Sequence, residues 1–282
     1  MGISCHIYDE LPAILSRGDN LVHCAGKVGN SGSWDEFASI NIDWTALLFD
    51  QAAERGVSCF IYVSSVAALG YKNRPGKEVL DESSPPNLFE GELYGRSKLL
   101  AEQMLLNHSQ DTSTRVVNLR PGLIYGRSPS TVSQTWLRRG IVVDPDQRVP
   151  LVHINSFVEA VTRVTENPEA EGVFLVVDQE QPTIQDLNTL KINLGILKYH
   201  PWRIGKVGYW LFCLGQTLAR NMRGRSGSVQ KGYALAHYYF QTRRLLYSTE
   251  KLRNLVGWAP AIPLYDGLKM SRMASPSAGK EV

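Results

Sequence analysis

Three short apolar runs, each ending at a break and each separated from the next by a helical pattern, constrain this chain more than any other feature. They are Asn20-Leu21-Val22-His23-Cys24-Ala25, Cys59-Phe60-Ile61-Tyr62-Val63 and Arg115-Val116-Val117-Asn118-Leu119. None shows the strict alternation of a strand with one wet face. Each therefore reads as a strand buried on both faces, the habit of parallel sheets. Between the first two, the sequence predicts a helix from about Trp34 to Arg55, carrying Asn41, Thr45, Leu47, Leu48 and Ala52 and closed by Gly56. Between the second and third, a loop with Pro75, Pro85 and Pro86 leads into a helix that passes through Tyr94 to about Asn107. A shorter helix is predicted over Glu10 to Arg17, and Pro121-Gly122 breaks the third strand. Strands alternating with helices predict an α/β fold, Rossmann-like, with a parallel sheet and right-handed crossovers.

Composition removes several classes of function. A chain of 282 residues with 43% apolar and 20% charged residues is ordinary for a globular protein of one large or two small domains. A net charge of +3 and a pI near 8.6 are too mild to argue for a nucleic-acid partner. The four cysteines (Cys5, Cys24, Cys59, Cys213) are scattered without a Cys-x-x-Cys pair, which reads as reduced, structural thiols of a cytoplasmic protein. No basic region followed by an apolar core opens the sequence, so no secretory leader is expected. No His, Cys and carboxylate residues stand at metal-ligand spacing, and no Gly-x-Ser-x-Gly elbow appears. The stretch from Ser271 to Val282 is rich in small and charged residues and is expected to be a disordered tail.

The chemistry centres on Tyr94-Gly95-Arg96-Ser97-Lys98. Tyrosine and lysine four apart share a helix face. A phenol with a pKa of about 10 is a poor base at neutral pH. A neighbouring ammonium favours the phenolate and lowers that pKa, giving a general acid/base for a hydroxyl or carbonyl oxygen. A solvated helix face produces the same spacing, so the surrounding motifs decide. They occur in the order His23-Cys24-Ala25-Gly26, Asn41 with Thr45, Tyr62-Val63-Ser64-Ser65, Tyr94-x-x-x-Lys98 and Leu119-Arg120-Pro121-Gly122-Leu123-Ile124-Tyr125-Gly126. Leu151-Val152-His153-Ile154 with Glu159-Ala160 follows, and then Ser248-Thr249-Glu250-Lys251-Leu252 with Leu255-Val256-Gly257-Trp258-Ala259-Pro260.

This ordered set resembles the extended short-chain dehydrogenase/reductase family, which includes NAD-dependent sugar epimerases and dehydratases and 3β-hydroxysteroid dehydrogenases. The resemblance spans nearly the whole chain. It implies NAD or NADP as cofactor, with Tyr94 as proton donor and acceptor and Lys98 as its activator and a ribose ligand. Ser65, at the family's spacing from Gly70, would hold the substrate oxygen; the alternative is a strand-end serine capping its own backbone. Asn41 resembles a helix asparagine that joins a proton relay through water and the lysine; the alternative is a buried structural hydrogen bond. Ala25, Gly26 and Ser64 would lie beside the cofactor. Pro121, Gly122, Leu123 and Ile124 would line its nicotinamide end, where Pro and Gly also make a strand-ending turn. The resemblance also implies a possible homodimer through the helices of Asn41 and Tyr94.

One departure stands out. The family opens with a strand, a Gly-x-x-Gly-x-x-Gly turn and a helix that cradle the dinucleotide pyrophosphate. Gly26, Gly29 and Gly32 spell that pattern after a strand and before a helix. Yet the next strand ends in Ser64-Ser65 where a ribose-binding acid belongs, and Tyr94 follows too soon. The favoured reading makes this the loop after the family's fourth strand, in a sheet that is N-terminally truncated with Leu21 to Cys24 as an exposed edge. The expected division is a partial cofactor domain over residues 1–178, a smaller substrate-binding region over 179–270 and the tail over 271–282.

The remaining residues have plainer readings. His153 is expected in the core, Asp81 and Glu82 in a solvated loop, and Arg127 at the surface unless it meets an anionic substrate. Val207 to Ala219 is an aromatic, apolar run flanked by Lys206, Arg220, Arg223 and Arg225. It is too short to span a bilayer. It reads as a core helix of the substrate region, or else as an interfacial helix drawn to anionic lipid. Tyr238-Tyr239-Phe240 would extend the same pocket wall. An apolar pocket leans the substrate toward a hydroxysteroid; a nucleotide-sugar epimerase or dehydratase is the alternative, and a catalytically silent member is the reading of another class.

Overall fold

The computed structural model describes residues 15–29, 32–72, 74, 78–126, 141–222 and 238–273. Strand β1 (Asn20–His23) leads through a loop to helices α1 (Trp34–Ala38) and α2 (Trp44–Glu54), joined by one π turn over Ser39–Asp43. Next come β2 (Cys59–Val63), the short β3 (Val79–Leu80) and α3 (Leu93–His108), which carries Tyr94 and Lys98. The chain continues through β4 (Arg115–Pro121), β5 (Leu123–Tyr125), β6 (Ile141–Val142), β7 (Leu151–His153), α4 (Ile154–Glu166) and β8 (Gly172–Val176). It closes with α5 (Ile184–Asn193), β9 (Trp202–Arg203), α6 (Lys206–Met222), β10 (Leu246–Tyr247), α7 (Glu250–Val256) and α8 (Leu264–Met273).

The main sheet has the order β1-β2-β4-β8, and all its pairs are parallel. Each new strand is added on the same side as the last, with a helical crossover between. Among the described residues β1 has a neighbour on one side only, and Val22 is exposed there while His23 is buried.

Period-2 alternation places two apolar layers on the sheet. Cys59 and Ile61 of β2 with Val117 and Leu119 of β4 face α4 and α7, meeting Phe157, Val164, Leu252 and Trp258. Phe60, Tyr62 and Val116 face the other way, onto Leu48, Phe49 and Ala52 of α2 and Ala101 and Leu105 of α3. Each such buried side chain contributes about 1.5–3 kcal/mol relative to exposure. The segment beyond residue 178 does not stand apart. Leu252 and Trp258 return to this core, and the Trp258 indole donates to Ser156 O at 2.9 Å.

At Gly122 the chain leaves the main sheet. Gly122 N still donates to Val176 O (3.0 Å), whereas Leu123 N donates to Pro150 O (2.7 Å), and β5 then pairs with β7. The third strand therefore runs two residues further than its apolar run, through Pro121, before switching partners.

Three expectations need correction. The Glu82 carboxylate is not solvated: it accepts from Leu175 N at 2.7 Å. Ser271 to Met273 continue α8, so the expected tail begins inside a helix. The run from Val207 is helical but is not a core helix: Tyr209 and Cys213 are buried against Val143, while Val207, Trp210, Leu211, Phe212 and Leu214 are exposed. Tyr238 packs on that small cluster, and Tyr239 and Phe240 pack instead on the cluster of Tyr71 and Phe89. Cys24 is exposed, whereas Cys59 and Cys213 are buried. Arg127, Arg223, Arg225, Pro75 and most of the Glu10 to Arg17 segment lie outside the described residues. Among the described residues no helix is long and apolar enough to cross a membrane, and no group of His, Cys, Asp and Glu could hold a metal.

Below β8 a buried carboxyl meets β5 and β7. Asp178 accepts from His153 N at 3.1 Å, and His153 caps α4 by accepting from Asn155 N while its ring meets Tyr125 edge-on. Burial pushes Asp178 up to about 7, against the opposing bond from His153 N. A carboxyl raised this way is neutral in the fold and charged in the unfolded chain across the interval from its ordinary value to about 7. Its contribution to stability is complete in acid and is lost as pH rises through about 7. Asp178→Asn keeps the acceptor and removes the charge. In urea unfolding across that interval the variant should show a shallower decline than the parent and be the more stable of the two at pH 8; an unchanged slope would refute the assignment.

Candidate active site

The carboxyl ends of β1, β2 and β4 and the first turns of α3 meet at one place. Open parallel sheets bind ligands in the crevice outside these ends. What brings α3 there is a missing side chain. A Cβ on Gly95 would run into the carbonyl oxygen of Ala67, in the short turn Val66–Leu69 that follows Ser65. Only glycine lets helix backbone and turn backbone touch, and the contact sets Tyr94 against Ser65. Ser65 is extended (φ −165°, ψ 151°), its hydroxyl caps the turn by accepting from Ala67 N at 3.2 Å, and it is hydrogen-bonded to the Tyr94 side chain. The capping reading of Ser65 is thus observed, and the same hydroxyl neighbours the Tyr94 phenol.

Lys98 lies one turn further along α3 and is buried. Its ammonium donates to Val63 O at 2.8 Å and stands 4.4 Å from the centroid of the Tyr62 ring. A Cβ on Gly26 would come within 3.3 Å of Lys98 Nζ and 3.0 Å of Asn41 Oδ1, so the loop after β1 passes directly over both groups. The expected lowering of the Tyr94 pKa by Lys98 is not what the structure gives. Burial pushes the Tyr94 phenol up, and the Ser65 bond offsets this in part. Burial also pushes Lys98 down to about 8, against the pull of Glu102 and Cys24. Desolvation of each group outweighs any attraction between them.

Asn41 sits in the π turn and is fully committed. Its Oδ1 accepts from Lys27 N (2.7 Å), and its Nδ2 donates to Lys27 O (3.0 Å) and to Ser97 Oγ (2.8 Å). Ser97 Oγ in turn donates to Tyr94 O at 2.9 Å. Thr45 Oγ1 donates to Asn41 O (2.9 Å), which leaves its oxygen to accept from His23 Nε2 at 3.0 Å. Burial holds His23 down to about 4, so it is neutral in this network. Both amide hydrogens and the amide oxygen have partners, so the Asn41 side chain clamps the Lys27 loop to α3. A one-residue extra turn of this kind is frequent where a helix bends around a functional site.

Ser64 also departs from expectation. Its hydroxyl is buried and donates to Glu102 of α3 rather than facing a ligand. Glu102 is clamped by Arg120 of β4, Nε to Oε1 at 3.0 Å and Nη2 to Oε2 at 2.6 Å. This two-pronged buried pair fixes α3 to the sheet, and breaking such a pair costs about 3–5 kcal/mol. Pro121 is buried, while Gly122, Leu123 and Ile124 are half-buried at the β4 end. Leu123 and Ile124 pack on different core clusters, so the stretch is both a strand-ending turn and an apolar wall. A further carboxylate, Glu92, lies two residues before Tyr94. It accepts from Phe89 N, and burial pushes it up to about 7, against the pull of Arg243 and Lys72. Ser97, Glu102, Arg120 and Glu92 escape a motif search. Helical spacing flags the first two, one turn from Tyr94 and Lys98 respectively.

The donor set suits a nicotinamide ribose. A buried ammonium with one bond to a carbonyl has donors for a vicinal diol, and Gly26 keeps the space beside it clear of a side chain.

The model of the NAD dependent epimerase/dehydratase family matches residues 7–177. UDP-glucose 4-epimerase of Vibrio cholerae is 26% identical over 281 residues, covering 94% of this chain and 78% of that protein. The 3 beta-hydroxysteroid dehydrogenase/Delta 5-->4-isomerase of Monkeypox virus is 25% identical over 133 residues, covering 44% and 38%. The crystal structure of UDP-glucuronic acid 4-epimerase from Bacillus cereus, in complex with NAD, superposes with a TM-score of 0.72 at 16% identity, covering 96% of this chain and 76% of that one.

The Gly95 contact makes a prediction opposite in sign to the usual one. Glycine to alanine within a helix normally stabilises by about 0.5–1 kcal/mol. Here Gly95→Ala should destabilise by about 1–3 kcal/mol in urea unfolding, because two backbones must separate. A variant as stable as the parent would show that the contact is not close.

Proposed function

From a chain that belongs to the NAD-dependent epimerase/dehydratase family, we propose an NAD(P)-dependent enzyme that inverts a hydroxyl-bearing carbon of a UDP-sugar through a transient ketone. The observation that carries this reading is the hydrogen bond between Tyr94 and Ser65 at the carboxyl end of the parallel sheet, one helical turn from the buried Lys98. Similarity along almost the full chain to a UDP-sugar epimerase supports the substrate class. The lean toward a hydroxysteroid loses its main ground, because the apolar run from Val207 faces solvent instead of lining a pocket.

When bound, a nicotinamide accepts and returns a hydride. The protein's part is to hold the sugar oxygen and move its proton. Ser65 Oγ orients the oxygen, and the Tyr94 hydroxyl exchanges the proton with it. With its pKa raised by burial, Tyr94 is a proton donor at neutral pH. It acts as a base when Lys98 carries charge beside it, and the ammonium also holds the ribose. Asn41 and Ser97 keep Tyr94 and the Gly26 loop in register. A homodimer through α2 and α3 belongs to the same reading, and it would cover Leu47, which is exposed on α2.

Incubation with NAD and UDP-glucose or UDP-glucuronic acid should yield the epimer, while 3β-hydroxysterols should not be oxidised. Tyr94→Phe should lower turnover by about a hundred- to ten-thousand-fold with an unchanged unfolding curve. Sterol turnover alone would replace the substrate class. Absence of NADH and NADPH binding by fluorescence titration would favour a catalytically silent member.

A further inference from the structure

Among its described side chains, helix α6 is held to the rest of the molecule by one narrow stripe. Tyr209 and Cys213, four apart, are its buried residues, and they meet Val143. The opposite face bears Val207, Trp210, Leu211 and Leu214, at spacings of three, four and seven, all exposed. The segment leading into the helix adds Tyr199 at 82% and Trp202 at 83% exposure. A helix normally turns its apolar stripe inward. Here a second stripe points out, and apolar patches of this extent mark interaction sites.

The charge around it identifies the partner. Residues 187–249 contain ten Lys and Arg and no Asp or Glu, whereas the remaining chain has 20 basic and 27 acidic residues. Lys198 and Arg203 are exposed beside the two exposed aromatic residues. Lys206, at the start of the helix, is paired with Asp144 at 2.7 Å, which ties the patch to the body. No described helix can cross a bilayer, so the arrangement suits one that lies flat. An apolar stripe with aromatic residues, beside the exposed Lys198 and Arg203, matches an interface of anionic headgroups over acyl chains.

We infer that α6, with Tyr199 and Trp202, docks the protein on an anionic lipid surface. The helix lies in the plane of the interface, Val207, Trp210, Leu211 and Leu214 enter the acyl boundary, and Lys198 and Arg203 meet the headgroups. This goes beyond the reading of the active site and is independent of it, since none of these residues touches Tyr94, Ser65 or Lys98.

The test uses the full chain and vesicles of phosphatidylcholine, alone or with about one phosphatidylglycerol in three lipids. The protein should sediment with the anionic vesicles and not with the zwitterionic ones, and raised salt should release it. Leu211→Glu and, separately, the pair Lys198→Glu and Arg203→Glu should each reduce the bound fraction about tenfold, with unfolding curves and NAD-dependent turnover unchanged. Brominated acyl chains should quench tryptophan emission in the parent and less in Trp210→Phe. Failure to bind anionic vesicles at low salt overturns the inference. So does a dimer that Leu211→Glu dissolves while vesicles are ignored, which would show a second copy covering this face.

Discussion

The Asn41 carboxamide is the interaction on which the site depends. One side chain accepts from the backbone of Lys27, donates back to it, and donates to Ser97 of α3. It thereby ties the loop after β1 to the turn that carries Tyr94. Each such bond adds only about 0.5–1.5 kcal/mol net. Their value lies in what they forbid. The Lys27 N–H and C=O belong to an irregular loop with no ladder partner, and buried backbone groups need partners. Without Asn41 that loop must rearrange, and the space over Lys98 goes with it.

Much of this was legible in the residues. Doubly apolar runs gave three strands of the sheet in their order, and Tyr94 with Lys98 lay on one helix face as spacing required. The spacing from Gly70 singled out Ser65, but it does not say where Ser64 points, because adjacent strand-end residues point opposite ways. Only the buried Glu102 shows that Ser64 turns inward. From sequence Asn41 reads as a relay or as a clamp, and its bonds to Lys27 and Ser97 supply the clamp. β8 follows Pro168 and opens on Gly172, but its short apolar run reads equally as a buried helix segment, and the exposure of α6 defeats any pattern rule, since an amphipathic stripe does not say which side faces the protein.

Burial rather than charge pairing sets the ionisation of the site. Tyr94 rises and Lys98 falls, although the simple picture of a cation beside a phenol moves Tyr94 the other way. The same desolvation acts on Glu92 and Asp178, both brought up to about 7 at separate places. At Glu102 the buried Arg120 supplies a two-pronged partner, and that pair anchors α3 to the sheet.

The touching backbones at Gly95 and Ala67 carry a consequence for how such a chain tolerates change. Where two elements are separated by side chains, every volume change in the intervening layer alters their distance. Here no such layer exists. The span from phenol to serine is therefore inherited from bond lengths and van der Waals radii, and the surrounding core is free to drift in composition without retuning it.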